Sequence, residues 1–206
     1  MMKVLLVNGS AHQNGCTAAA LAEVARTLEE QGIGTETIFI GNAPIADCMA
    51  CGQCGKLDRC VIDDIVNKLV ETARGCDGFV FGSPVYYAHP TARIQAVLDR
   101  AFYSGKDAFA HKPAAAVLNA RRAGTTASFD VMNKYFTISE MPVVSSTYWN
   151  MTHGRTAEDV RLDEEGIDTM RNLGLNMAWV LKCIEAGRQA GIQPPVCTKR
   201  TTNFIR

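Results

Sequence analysis

The sequence contains no apolar run of membrane-spanning length. The first hydrophobic stretch, residues 4–7, ends at Asn8, far short of the ~18 to 20 consecutive apolar residues that a transmembrane helix requires. It is also too short for the hydrophobic segment of a signal peptide. We therefore predict a cytoplasmic chain with no membrane partner.

The sequence also lacks an excess of either charge. Lys and Arg total 21 and Asp and Glu total 21 among 206 residues, which leaves a net charge of zero. Such a chain has no long-range field to attract nucleic acid or anionic lipid, so neither is an expected partner. Repeats, low-complexity tracts and linkers are likewise missing, and the length fits one ample domain.

Short apolar runs alternate with amphipathic helical patterns along the chain. The predicted strands cover residues 3–8, 35–40, 78–82, 114–119 and 142–146, and the predicted helices cover residues 17–31, 65–75, 91–103, 128–136 and 163–187. This alternation is typical of a parallel sheet with helices on both faces. We predict a three-layer α/β domain over residues 1–190, with a cysteine-rich loop at 48–60 and an extended tail at 191–206.

A polar loop containing two glycines, residues 9–15, follows the first predicted strand and precedes a helix. The free amides of a helix start, with the hydroxyls of Ser10 and Thr17, suit a phosphate group. No lysine follows the second glycine, so the loop is not that of a nucleoside triphosphatase, and it also lacks the dinucleotide spacing. The alternative is an ordinary polar turn with a threonine cap.

The third predicted strand ends in the run Gly-Ser-Pro-Val-Tyr-Tyr-Ala-His-Pro, residues 82–90. Two prolines stiffen this loop, and its adjacent tyrosines offer faces on which a flat heteroaromatic ligand can stack. Packing of the tyrosines against a helix or another subunit is the alternative. Because both loops lie at the carboxyl edge of the sheet, together they predict a phosphorylated planar cofactor, and FMN is the candidate for such a sheet.

Three motifs carry a family resemblance that covers nearly the whole chain. They are G-S-x-x-x-x-G-x-T at residues 9–17, G-S-P-V-Y-Y at residues 82–87 and Leu-Asp-Arg at residues 98–100. Together they resemble the flavodoxin-like NAD(P)H-dependent FMN reductases, and Thr202-Asn203-Phe204 is similar as well. The resemblance implies a flavodoxin-like three-layer sandwich whose five parallel strands have the order 2-1-3-4-5, and a homodimer or homotetramer.

The resemblance also implies where FMN lies. The phosphate and ribityl chain would be held by Ser10, His12, Asn14, Gly15, Cys16 and Thr17. The isoalloxazine ring would be bordered by Pro84, Val85, Tyr86 and Tyr87, and the third side closed by Asn119, Ala120, Arg121, Arg122 and Gly124. Many relatives have a glycine-rich third loop, whereas this chain has two arginines there.

Four cysteines lie within thirteen residues, in the spacing Cys48-x2-Cys51-x2-Cys54-x5-Cys60. One short loop can wrap a single cubane cluster, whereas structural zinc sites usually take two separated pairs of ligands. The spacing resembles that of the iron-sulfur flavoproteins, a branch of the same family, which implies a 4Fe-4S cluster on these four residues. Zinc, an empty loop and a redox disulfide are the alternatives.

These observations predict an FMN-dependent oxidoreductase in which the cofactor, and no side chain, carries the chemistry. NAD(P)H or a reduced carrier would be the electron donor, and a quinone, a flavin, another small molecule or a small electron-carrier protein the acceptor. Two alternatives stay open: a metal-free FMN or quinone reductase, and a non-enzymatic flavin electron carrier or redox sensor.

Overall fold

The computed structural model describes residues 1–198, 200 and 202. Its strands are β1 (Lys3–Asn8), β2 (Gly34–Phe39), β3 (Gly78–Tyr86), β4 (His89–Pro90), β5 (Ala114–Ala120) and β6 (Met151–His153). Its helices are α1 (Cys16–Glu30), α2 (Cys54–Leu57), α3 (Ile65–Arg74), α4 (Ala92–Ser104), α5 (Thr125–Ile138), α6 (Ala157–Leu162) and α7 (Glu164–Gln189). Asn203 and Phe204 of the tail motif lie outside the described residues. Within the described part of the chain, no helix has the length and apolar character to cross a membrane.

The sheet has the order β2-β1-β3-β5-β6, and these five strands are parallel. This confirms the flavodoxin-like α/β fold and the predicted order of five parallel strands. A sixth, two-residue strand was not expected: β4 pairs antiparallel with the end of β3, through Val85 with Pro90 and Tyr86 with His89. The loop after the third predicted strand is therefore a tight hairpin.

Alternate residues of each central strand enter two separate cores. In β1, Leu5 and Val7 pack in the cluster with α3, α4 and α5, whereas Val4 and Leu6 pack in the cluster with α1 and α7. The side chains of a strand alternate between faces, so a strand covered on both sides must be apolar at every position. The uninterrupted run at residues 4–7 is the direct consequence.

The predicted fifth strand at residues 142–146 is wrong in position. Within that segment only Val143 forms a bridge, with Ala114, and the fifth parallel strand is β6, beside the end of β5. Contacts with α7 explain the difference. Asn176 Nδ2 donates to the Ser145 carbonyl at 2.8 Å and Ser146 Oγ donates to the Thr169 carbonyl at 2.6 Å, so the chain leaves the sheet there and returns at residue 151.

The predicted long helix at residues 163–187 corresponds to α7, and a short helix, α6, precedes it unexpectedly. Thr156 and Asp159 form a capping box at the start of α6. The Asp163 side chain accepts from the Gly166 amide at 3.0 Å and caps α7. Thr-x-x-Asp is a recognisable helix start, so this signal was present in the sequence and was missed.

Candidate functional site

The loop after β1 is held by its own side chains and by the end of β1. The Ser10 amide donates to Asn8 Oδ1 at 3.0 Å, and Asn8 Nδ2 donates to the Gln13 carbonyl at 3.2 Å. The His12 amide donates to Ser10 Oγ at 3.0 Å. Asn8, which sequence reasoning treated only as a strand end, therefore shapes this loop. Its polarity at the end of an apolar strand was the available signal.

Thr17 carries a hydroxyl oxygen without a partner. The residue is 1% exposed, and Oγ1 has no hydrogen-bond partner among the described residues. Leaving a buried polar group unpaired costs about 1–3 kcal/mol, so native structures seldom keep one without a reason. A ligand oxygen at this position would remove the penalty.

The start of α1 is open toward the same place. Its N-cap, Gly15, supplies no capping side chain, and the first turn contains no acidic residue. The Cys16 thiol donates to the Gly154 carbonyl at 3.7 Å, and burial raises its pKa, so the thiol stays neutral near pH 7. A helix start with free amides and no neighbouring thiolate favours an anion.

Thr91 ties the loops after β1 and β3 together. Its Oγ1 donates to the Gly9 carbonyl at 3.0 Å and accepts from the Ile94 amide, which caps α4. The Thr91 amide donates to Ser83 Oγ at 3.0 Å, and the Gly9 amide donates to the Gly82 carbonyl at 2.8 Å. The two predicted cofactor loops therefore start from one fixed junction.

The two tyrosines of the hairpin lie in different environments. Tyr86 is 51% exposed and lines a groove shared with the phosphate loop. Tyr87 is fully exposed, does not line that groove, and has a φ of +52°. Of the two residues, only Tyr86 is placed to stack on a ligand in the groove.

The third loop also reaches the groove. Asn119 Nδ2 donates to the carbonyl and to Oγ1 of Thr152 in β6, both at 3.1 Å. Gly124, with a φ of +92°, packs so closely on the hairpin that an added Cβ would lie 2.7 Å from Ala88 Cα. Gly124 thus holds two loops together and does not line the groove.

These loops line one groove that is open to solvent. The predicted residues that line it are Ser10, His12, Cys16, Thr17, Pro84, Val85, Tyr86, Asn119, Ala120 and Arg121. The predicted residues that do not line it are Asn14, Gly15, Tyr87, Arg122 and Gly124. Gly154 and Arg155 also line the groove. Arg155 was missed, because the strand that carries it there was predicted elsewhere.

The charge of the groove matches its open helix start. Arg121 and Arg155 line it, together with His12, and no carboxylate does so within the described residues. Two guanidinium groups and a helix start in one groove favour an anionic ligand. The positive charge of the groove, together with the Tyr86 ring, suits an aromatic phosphate ester.

The four clustered cysteines line a second, small cavity. Cys48 and Cys51 are exposed, Cys54 and Cys60 are half-buried, and all four thiols are free. No three His, Cys, Asp or Glu side chains of the described residues are arranged to hold a metal ion. The four thiols therefore share one cavity without converging on a single point.

Comparisons with known proteins agree with this geometry. The family model described as NADPH-dependent FMN reductase matches residues 2–156. An iron-sulfur flavoprotein of Methanocaldococcus jannaschii is 29% identical over 193 residues, which cover 89% of this chain and 100% of the relative. An iron-sulfur flavoprotein of Methanosarcina thermophila is 28% identical over 193 residues, covering 91% and 99%.

Solved structures show the same fold. The structure of RosB with a bound 8-demethyl-8-formylriboflavin-5'-phosphate has a TM-score of 0.69 at 16% identity, covering 100% of this chain and 94% of RosB. A flavodoxin from the domain Archaea has a TM-score of 0.59 at 14% identity, covering 88% and 99%. The family match and the flavoprotein relatives support an FMN-dependent oxidoreductase. The chain belongs to the NADPH-dependent FMN reductase family, and it is similar over most of its length to the iron-sulfur flavoproteins.

Proposed function

We propose that the chain binds FMN in the groove and passes electrons from NAD(P)H or a reduced carrier to a quinone, a flavin or another acceptor. The observation that carries this proposal is the buried, unpartnered Thr17 hydroxyl oxygen. It lies at an uncapped helix start, on the same groove as Tyr86. A phosphate at Thr17 and a ring at Tyr86 would both lie in this groove.

The chain's own residues would bind and orient the cofactor. The Thr17 hydroxyl and the first amides of α1 would donate to the phosphate, and Ser10 would complete that end. The Tyr86 ring would stack on the isoalloxazine, while Arg121 would face its polar edge. Once bound, FMN supplies hydride acceptance and single-electron release. Two-electron donors and one-electron acceptors could then be served by the same site.

We further propose that the cysteine loop holds a 4Fe-4S cluster. Cys48, Cys51, Cys54 and Cys60 line one cavity, and the relatives bear the name iron-sulfur flavoprotein. A cubane is bound at its corners, so its thiolates lie farther apart than the ligands of one ion. Four thiols that surround a cavity without converging fit a cluster better than tetrahedral zinc.

An anaerobic preparation tests the redox proposal. We expect about one FMN per chain, released by denaturation, and rapid bleaching of the flavin absorption when NADH or NADPH is added. A preparation that takes up no FMN would overturn the proposal. If a reduced electron-carrier protein reduces the bound FMN and neither NADH nor NADPH does, the carrier protein is the electron donor.

Substituting the clustered cysteines tests the cluster separately. We expect Cys48→Ser and Cys54→Ser to lose most of about four iron atoms and of the acid-labile sulfide per chain, because each removes one corner ligand. FMN content should stay unchanged, because neither residue lines the groove. Cys183→Ser, an exposed thiol outside the cavity, is the matched control. Unchanged iron content in the two variants would refute the assignment.

A further inference from the structure

All five N–H groups of Arg100 are used by the segments around the cysteine loop. Nε donates to Cys60 Sγ at 3.3 Å. Nη1 donates to Asp64 Oδ2 at 2.6 Å and to the Ala46 carbonyl at 3.2 Å. Nη2 donates to Asp64 Oδ1 at 2.8 Å and to the Ile62 carbonyl at 2.9 Å. The side chain is 1% exposed, and five donors are the complete inventory of a guanidinium.

Arg100 therefore closes both ends of the cysteine loop onto α4. Its contact with Ala46 lies just before Cys48, and its contacts with Ile62 and Asp64 lie just after Cys60. A buried arginine is tolerated only when it is paired and its other donors are satisfied. Here that requirement is met by backbone and side chains on both sides of the cavity.

Cys60 is held more firmly than the first two cysteines. Its amide donates to Asn67 Oδ1 and its carbonyl accepts from Asn67 Nδ2, both at 3.0 Å. Its sulfur accepts from Arg100 at the wall of the cavity. Cys48 and Cys51, by contrast, are exposed. The loop thus has one fixed sulfur and two that lie toward solvent.

We propose that Arg100 is a positioning residue of the cysteine site, which fixes the Cys60 sulfur at the cavity before the cluster enters and raises the reduction potential of the cluster afterwards. This rests on the cluster proposed above. Reduction adds negative charge to a cluster, so an N–H donor on a ligand sulfur stabilises the reduced form. The Nε–H of Arg100 is such a donor, and the guanidinium carries a positive charge as well.

The experiment uses Arg100→Lys, Arg100→Gln and the double variant Arg100→Gln/Asp64→Asn, which removes the buried ion pair as a unit. The control is Arg74→Gln. Arg74 pairs with Asp58 of the same loop, with 3.2 Å between Nη2 and Oδ2, and with Asp107, but it contacts no sulfur. Amide hydrogen exchange of residues 60–66 is followed in the cluster-free chain, and the cluster potential is measured after reconstitution.

In the Arg100 variants we expect exchange at residues 60–66 to accelerate about tenfold or more, as expected for the loss of buried hydrogen bonds. The cluster potential should fall in all three variants, and least in Arg100→Lys, which keeps the charge. Arg74→Gln should change neither readout.

Faster exchange with an unchanged potential would overturn the proposed action on the sulfur and leave Arg100 a structural residue. Unchanged exchange would overturn the positioning of Cys60. A native chain that takes up no iron would refute the cluster and the effect on its potential, and the exchange measurement would then decide the positioning alone.

Discussion

Thr17→Val is expected to weaken FMN binding roughly 10- to 100-fold, because a hydrogen bond to a charged group contributes about 1.5–3 kcal/mol. The same substitution should stabilise the FMN-free chain by about 1 kcal/mol, because it replaces an unpartnered buried hydroxyl with a methyl group of similar size. The two effects have opposite signs. We expect weaker FMN binding together with higher stability of the FMN-free chain only where a buried polar atom is unpartnered in that chain and bonds to FMN in the complex.

Titration of the FMN-free chain with FMN, together with thermal unfolding with and without FMN, measures both effects. Thr27→Val is a matched control, since Thr27 is buried on the same helix but its Oγ1 already donates to the Glu23 carbonyl at 2.9 Å. Thr17→Ser keeps the hydroxyl and should restore most of the affinity. If Thr17→Val bound FMN like the native chain, the phosphate would not lie at Thr17.

Gly9→Ala is expected to destabilise the chain by about 1–3 kcal/mol and to weaken FMN binding about tenfold or more. The new Cβ would lie 2.7 Å from the Gly82 carbonyl oxygen and 2.8 Å from Ile94 Cβ. Neither atom can rotate away, so the ends of β1 and β3 must separate. Both cofactor loops start at that junction, and the two halves of the groove would shift apart.

Chemical denaturation measures the change in the free energy of unfolding, and FMN titration measures the affinity. Gly55→Ala is the control, because an added Cβ there meets nothing within 4 Å, and such a substitution should stay within about 0.5 kcal/mol of the native chain. If Gly9→Ala and Gly55→Ala had equal effects on the free energy of unfolding and on FMN affinity, the close approach of β1 to β3 would determine neither quantity.

The parts of the fold that follow from local pattern were predictable from the sequence. The middle of β1, residues 4–7, is apolar throughout because it is buried on both faces, and this pattern is readable without coordinates. The order of the parallel strands came from the resemblance. The position of β6 was not predictable in this way, because contacts with α7 decide where the chain leaves the sheet.

The candidate site was predictable to the level of loops but not of single side chains. Both tyrosines looked equivalent, yet the hairpin of β3 and β4 directs Tyr86 to the groove and leaves Tyr87 outside it. That choice depends on a positive φ at residue 87, which no spacing reveals. In the same way, nothing in the motif Leu-Asp-Arg shows that Arg100 reaches across to Cys60.

The interruption of the sheet edge before β6 affects where the chain tolerates insertions. Residues 147–149 are exposed and belong to no strand or helix, and pairing with β5 sets the register of β6 independently of them. Exposed segments outside a hydrogen-bonded ladder accept insertions far better than strands do. This segment carries Tyr148 and Trp149, which are each half-exposed. Their rings pack edge to face, with 4.9 Å between the ring centroids. A peptide tag should therefore be accepted between residues 147 and 149, with β6 kept in register beside β5.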